Sequence, residues 1–133
     1  IDVSDGLVQD LGHVCRASGV GAEVDLASLP LATSCRHALG PRAAAVAATA
    51  GEDYELLVVL PPGVARDLPR LRRRIRCRLT RIGTVVAGRP AVRVIGAAGQ
   101  RRSLVRPGFD HSGGGGRIMT VPVALAILAG SLA

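Results

Sequence analysis

The sequence predicts an α/β (α+β) domain: one mixed β-sheet packed with helices. Three observations carry that expectation. Segments with apolar residues at helical spacing alternate with segments of strand composition. Two strand-like segments between residues 79 and 99 follow one another across a short Gly-Arg-Pro connection, so local antiparallel pairing is expected as well. Finally, 48% of the 133 residues are hydrophobic, enough to bury a core in one ordinary domain. With one Phe, one Tyr and no Trp, that core must be built from Val, Leu, Ile and Ala.

The elements follow in order. Ser4 and Asp5 both suit an N-cap, and Leu7, Leu11, Val14 and Cys15 recur at helical spacing, so a helix is predicted from about Asp5 to Ala17, ended by Gly19 and Gly21. "GAEVDL" reads as a short strand with Ala22, Val24 and Leu26 on one face. Pro30 interrupts the stretch from Ser28 to Gly40, which reads as loop with a short helical turn. In "PRAAAVAATAG", Pro41 suits the first helical position and Gly51 the terminator. "DYELLVVL" has the continuous apolar end of a central strand buried on both sides, stopped by Pro61 and Pro62. "PGVARDLPRLRRRIR" reads as one amphipathic helix with Val64, Leu68, Leu71 and Ile75 on its inner face. "LTRIGTVVAG" and "AVRVIGAAG" read as two strands joined like a hairpin. "RPGFDHSGGGG" is loop by composition, and Gly113–Gly116 behave as a linker. The domain boundary is therefore expected there, with residues 1–112 as the domain and 113–133 as a glycine-rich linker and an apolar appendage.

Composition narrows the function classes. The net charge of +7 would ordinarily point to nucleic acid or an anionic membrane, but all 17 basic residues are Arg, with no Lys or Asn in the chain. That is the signature of GC-rich codon usage, and aromatic stacking platforms are absent, so nucleic acid is not expected as a partner. The arginines from Arg66 to Arg81 are read first as a solvated helix face, with an RNA- or membrane-binding module as the alternative. Three scattered cysteines, Cys15, Cys35 and Cys77, fit a reducing cytoplasm better than a disulfide framework. His13 with Cys15 and Cys35 with His37 offer four zinc ligands, but at a spacing structural zinc sites disfavour. Residues 1–12 hold three acids and no base, unlike a signal peptide. The final run "IMTVPVALAILAGSLA" falls short of the ~20 residues a bilayer span requires, so membrane association is expected only if that run continues.

Three motifs carry chemistry. Asp2, Ser4 and Asp5 set two carboxylates and a hydroxyl at a helix entrance, where hard oxygen ligands suit Mg2+ and the first-turn amides suit phosphate. By pattern alone, a simple helix cap is the favoured reading. "GEDYEL" puts three acids between a helix end and a buried strand, as ligand-binding groups or as an ordinary acidic turn. Phe109 in "GFDH" is an aromatic in a glycine-flanked loop, able to stack on a planar ligand or to pin the loop.

Taken together and in order, "DVSDGLVQDLGHVCRASGVGAEVDLASLPL", "GEDYELLVVLPP", "RIGTVVAG" and "GFDH" resemble the C-terminal half of the thiamine-monophosphate kinases, over residues 1 to about 111. These kinases fall within the aminoimidazole ribonucleotide synthetase and selenophosphate synthetase superfamily, and the resemblance implies a fold like that superfamily's C-terminal domain. It implies ATP-dependent phosphorylation of thiamine monophosphate to thiamine diphosphate. It further implies Asp2 and Asp5 as Mg2+ ligands, Ser4 as an ATP contact, Glu52 and Phe109 as contacts to thiamine monophosphate, a homodimer formed through the N-terminal half, and a cytoplasmic setting. That half, with most of the ATP site, is not in this sequence, so the fragment alone is expected to be inactive. The chain departs from the family pattern at Ala50, where a second glycine is usual, and at Ser112, where an aromatic is usual. The alternative within the superfamily is a kinase or synthetase with another small-molecule acceptor.

Overall fold

The computed structural model of the chain describes residues 1–96, 99–102 and 123–129. A two-residue strand, β1 (Asp2–Val3), leads into helix α1 (Leu7–Ser18). Leu7, Leu11 and Cys15 repeat every four residues and, with Val8, form the buried stripe of α1. Strand β2 (Gly21–Asp25) follows, closed by a 3-10 turn over Leu26–Ser28. Asp25 caps that turn: its carboxylate accepts from the Ala27 amide at 2.9 Å and from the Ser28 hydroxyl at 2.6 Å.

The stretch expected as loop with a short helical turn holds a seven-residue helix, α2 (Thr33–Leu39). Pro41 then sits in a 3-10 turn, Gly40–Arg42, and the alanine-rich segment becomes α3 (Ala43–Thr49). Strand β3 (Glu55–Leu60) runs on to Pro61. The single arginine-rich helix expected next is two, α4 (Pro62–Arg66) and α5 (Leu68–Ile75). The break is at Asp67, which leaves helical geometry at φ −115° and ψ 46° and accepts from the Arg70 amide at 3.3 Å, starting a new helix. Pro69 has no N–H to give a preceding turn, so it reinforces the restart.

Strands β4 (Arg78–Val86), β5 (Val92–Ile95), β6 (Arg101–Arg102) and β7 (Val123–Ala129) complete a sheet in the order β1-β3-β7-β4-β2-β5-β6. It is mixed, as expected: β2 and β5 are parallel and the other neighbours antiparallel. The expected hairpin between the segments of β4 and β5 does not form, because β2 lies between them. Ala22 and Val24 on β2 are buried beside Val85 of β4 and Val92 and Val94 of β5, so non-local packing overrides the short connection. The apolar run expected as an appendage contributes β7, paired with β3 through Leu56↔Leu128 and with β4 through Leu79↔Leu128. Gly113–Gly116 lie outside the described residues.

The main core packs α1, α3 and the sheet around Leu11, Val24, Leu57 and Ile82. A smaller cluster on the opposite face joins Leu68 and Leu71 of α5 to Val58, Leu60 and Leu79. Successive residues of β3, Leu57 and Val58, thus point into different clusters, but the burial on both sides expected of this strand is incomplete, because Leu56 and Val59 are exposed. No helix among the described residues is long and apolar enough to cross a membrane.

Candidate functional site

The first two motifs, nearly fifty residues apart, are joined by backbone. β1 pairs antiparallel with β3, matching Asp2 to Leu56 and Val3 to Glu55. Beyond the ladder the Tyr54 amide donates to the Val3 carbonyl at 2.9 Å, and the Glu52 amide to the Ser4 carbonyl at 2.8 Å. Gly51 lies so near that a Cβ there would stand 2.5 Å from the Ser4 carbonyl oxygen. Only a residue without a side chain lets the two loops meet at this distance.

The second loop is held in unusual backbone geometry. Glu52 and Tyr54 adopt φ of 66° and 50°, left-handed conformations costing non-glycine residues on the order of 1–3 kcal/mol each. Such strain persists where neighbouring contacts impose it, here the hydrogen bonds to Val3 and Ser4. Glu52 and Asp53 are exposed, and Tyr54 is 74% exposed. Ala50, where the family pattern has glycine, takes φ −71°, which any residue adopts.

The start of α1 departs from the sequence expectation. Neither Ser4 nor Asp5 caps the helix; the N-cap is Gly6, at φ 120°. Instead Asp10, in the first turn, reaches back, and its Oδ2 accepts from the amides of Ser4, Asp5 and Gly6 at 3.0, 3.1 and 3.2 Å. Those donors are therefore not open to a phosphate. Asp10 is 3% exposed, while Asp5 is exposed, with a long contact, 3.5 Å, from Gln9 Nε2 to its Oδ2. Asp2 is also exposed, and Ser4 is half-buried between them. Sequence reasoning missed Asp10: an acid in the first turn suits the helix dipole, but that alone does not distinguish it from a solvent-facing residue.

Asp5, Asp10 and His13 bring ligand atoms within 4.8 Å of one another. The exposed Asp5 carboxylate fits a hard cation, and His13 already has its Nδ1 3.0 Å from Arg16 Nη2. The His13, Cys15, Cys35, His37 set is not gathered: Cys15 is buried in the core, and burial pushes its thiol pKa up against the lowering effect of Arg16. Phe109 lies outside the described residues.

Beside the two loops opens a cleft of about 280 Å³, lined by Val3, Leu7, Leu29, Leu31 and Cys35 together with the acids Asp53 and Glu55. Partial burial of the Asp53 carboxyl against these apolar side chains raises its pKa, although the residue as a whole remains exposed.

A family model described as AIR synthase related protein, C-terminal domain, matches residues 2–95. The thiamine-monophosphate kinase of Haemophilus influenzae is 38% identical over 86 residues, covering 64% of this chain and 26% of that protein. The thiamine-monophosphate kinase of Escherichia coli K12 is 48% identical over 62 residues, 46% of this chain and 19% of that protein. Among solved structures, the crystal structure of thiamine-monophosphate kinase from Stenotrophomonas maltophilia K279a superimposes with a TM-score of 0.63 at 40% identity. That match covers 71% of this chain and 30% of the solved one. The chain thus spans well under half the length of these relatives.

Proposed function

The chain belongs to the family of AIR synthase related proteins, as their C-terminal domain, and on that premise we propose that it forms one wall of a kinase site that passes a phosphoryl group from ATP to thiamine monophosphate. The products are thiamine diphosphate and ADP. The observation that carries this reading is the junction of the two motif loops, Glu52 to Ser4 and Tyr54 to Val3, which makes one polar surface of residues far apart in sequence. The names of the relatives supply the substrate.

Transfer between two phosphate chains crowds negative oxygens together, so the chemistry consists mainly of alignment and charge neutralisation. Asp2 and Asp5 would hold Mg2+, which would supply positive charge to offset the crowded phosphate oxygens. Ser4 would contact the nucleotide. Glu52 would face the positively charged thiazolium ring through opposite charge, and Phe109 would offer it an aromatic face. No side chain has to act as a covalent nucleophile, because the substrate phosphate attacks. The rest of the ATP site and the dimer contacts would come from the part of the relatives that this chain does not span. Three cysteines in no disulfide, Cys15, Cys35 and Cys77, fit a cytoplasmic setting.

Thermal shift tests the substrate. With the chain joined to the N-terminal half of one of the kinases, thiamine monophosphate should raise the melting temperature, while aminoimidazole and selenium substrates should not. No shift with thiamine monophosphate, or a shift with another acceptor, overturns the assignment.

A further inference from the structure

We propose that Asp10 is the positioning residue of the cation-binding loop, fixing the backbone from which Asp5 presents its carboxylate. The inference rests on the reading above, that Asp5 is a Mg2+ ligand.

Asp10 is the one buried charged side chain among the described residues. Burying a carboxylate is unfavourable unless hydrogen bonds replace its water, and here one oxygen receives three, from the consecutive amides of Ser4, Asp5 and Gly6. Successive amides converging on one point form an anion-binding concavity, and the chain fills it with its own carboxylate. The arrangement fixes the peptide planes on both sides of Asp5. The same three residues are held on their other flank: the Ser4 carbonyl accepts from Glu52, and Gly6 packs so closely on Thr49 that a Cβ there would stand 2.8 Å from its carbonyl oxygen. The loop carrying Asp5 is therefore clamped between Asp10 and the segment 49–52. Asp10 is 3% exposed with its Oδ2 taken up by three amide donors, whereas Asp5 is exposed. That contrast assigns holding to Asp10 and ligation to Asp5.

The competing role is direct ligation by Asp10, alongside Asp5 and His13. A double-mutant cycle on the complete chain separates the two, with Mn2+ alone as the probe and free Mn2+ read by electron paramagnetic resonance. Asp5→Asn and Asp10→Asn should each weaken Mn2+ binding by roughly tenfold or more, as loss of a ligand or of its hydrogen-bonded support does. If Asp10 acts through Asp5, the double variant should bind no more weakly than Asp5→Asn alone. Unchanged affinity in Asp10→Asn, or losses that multiply in the double variant, overturns the positioning role while leaving Asp5 as a ligand. Unchanged affinity in Asp5→Asn overturns the metal reading itself, and the inference with it. Should Asp10→Asn fail to fold, the unsubstituted chain still decides. Its Ser4, Asp5 and Gly6 amides should exchange with deuterium more slowly than open amides by about tenfold or more, and exchange at open rates overturns the clamp.

Discussion

Gly51 is the residue on which the meeting of the two loops depends. Alanine there would press its methyl against the Ser4 carbonyl, so the backbones must part. Gly51→Ala should destabilise the chain by about 1–3 kcal/mol, the range for overpacking a close contact, as measured by urea unfolding. Asp53 has a different signature. Its carboxyl is raised above the ordinary value of 3.8 because burial disfavours the charged form. Below 3.8 both folded and unfolded states are protonated and there is no cost; as pH rises through the folded pKa the cost appears, and it is complete above it. Asp53→Asn should therefore be more stable than the parent at pH 7, with the gap shrinking as pH falls towards 4. A pH-independent gap would detach Asp53 from the cleft. At this scale Asp2, Ser4, Asp5 and Glu52 stood out in the sequence as candidates, because acids and small polar residues beside glycines are conspicuous in a row of apolar elements, and the structure joins the two loops that carry them by backbone. Asp10 did not stand out, since one acid on a helix reads as a solvent-facing residue until its three amide partners are known.

Elements were legible where periodicity was strong and local. The first helix and β2 came directly from spacing and β3 from its strand-favouring composition, although only Leu57 of β3 is buried. Leu57, 2% exposed in the main core, should cost about 2–5 kcal/mol on substitution by alanine. Its neighbour Leu56, 42% exposed, should cost under about 1 kcal/mol. Equal losses in chemical denaturation would contradict the inward-outward register of this strand. Pairing was less legible, because which strand lies beside which depends on packing between distant segments. The insertion of β2 between β4 and β5 and of β7 between β3 and β4 has no local sequence signal. The split at Asp67 did have one, an N-capping acid followed by Pro69 in the first turn of a new helix, but the arginine-rich apolar stripe outweighed it.

For the molecule as a whole, the fold is a scaffold that draws residues 2–5 and 51–54 to one end of the sheet. Family membership, read first from motif order, rests on the match over residues 2–95. The proposed chemistry needs more than this chain, since it spans 26% of one relative and 19% of another. The central claim is that the aspartates of the "DVSDG" loop serve phosphoryl transfer. The most direct test is turnover of thiamine monophosphate by the chain joined to the N-terminal half of a related kinase, compared with its Asp5→Asn variant. Loss of a metal-holding carboxylate should lower kcat by roughly a hundredfold or more while the melting temperature stays within a few degrees. Undiminished turnover in a folded Asp5→Asn variant would contradict the account.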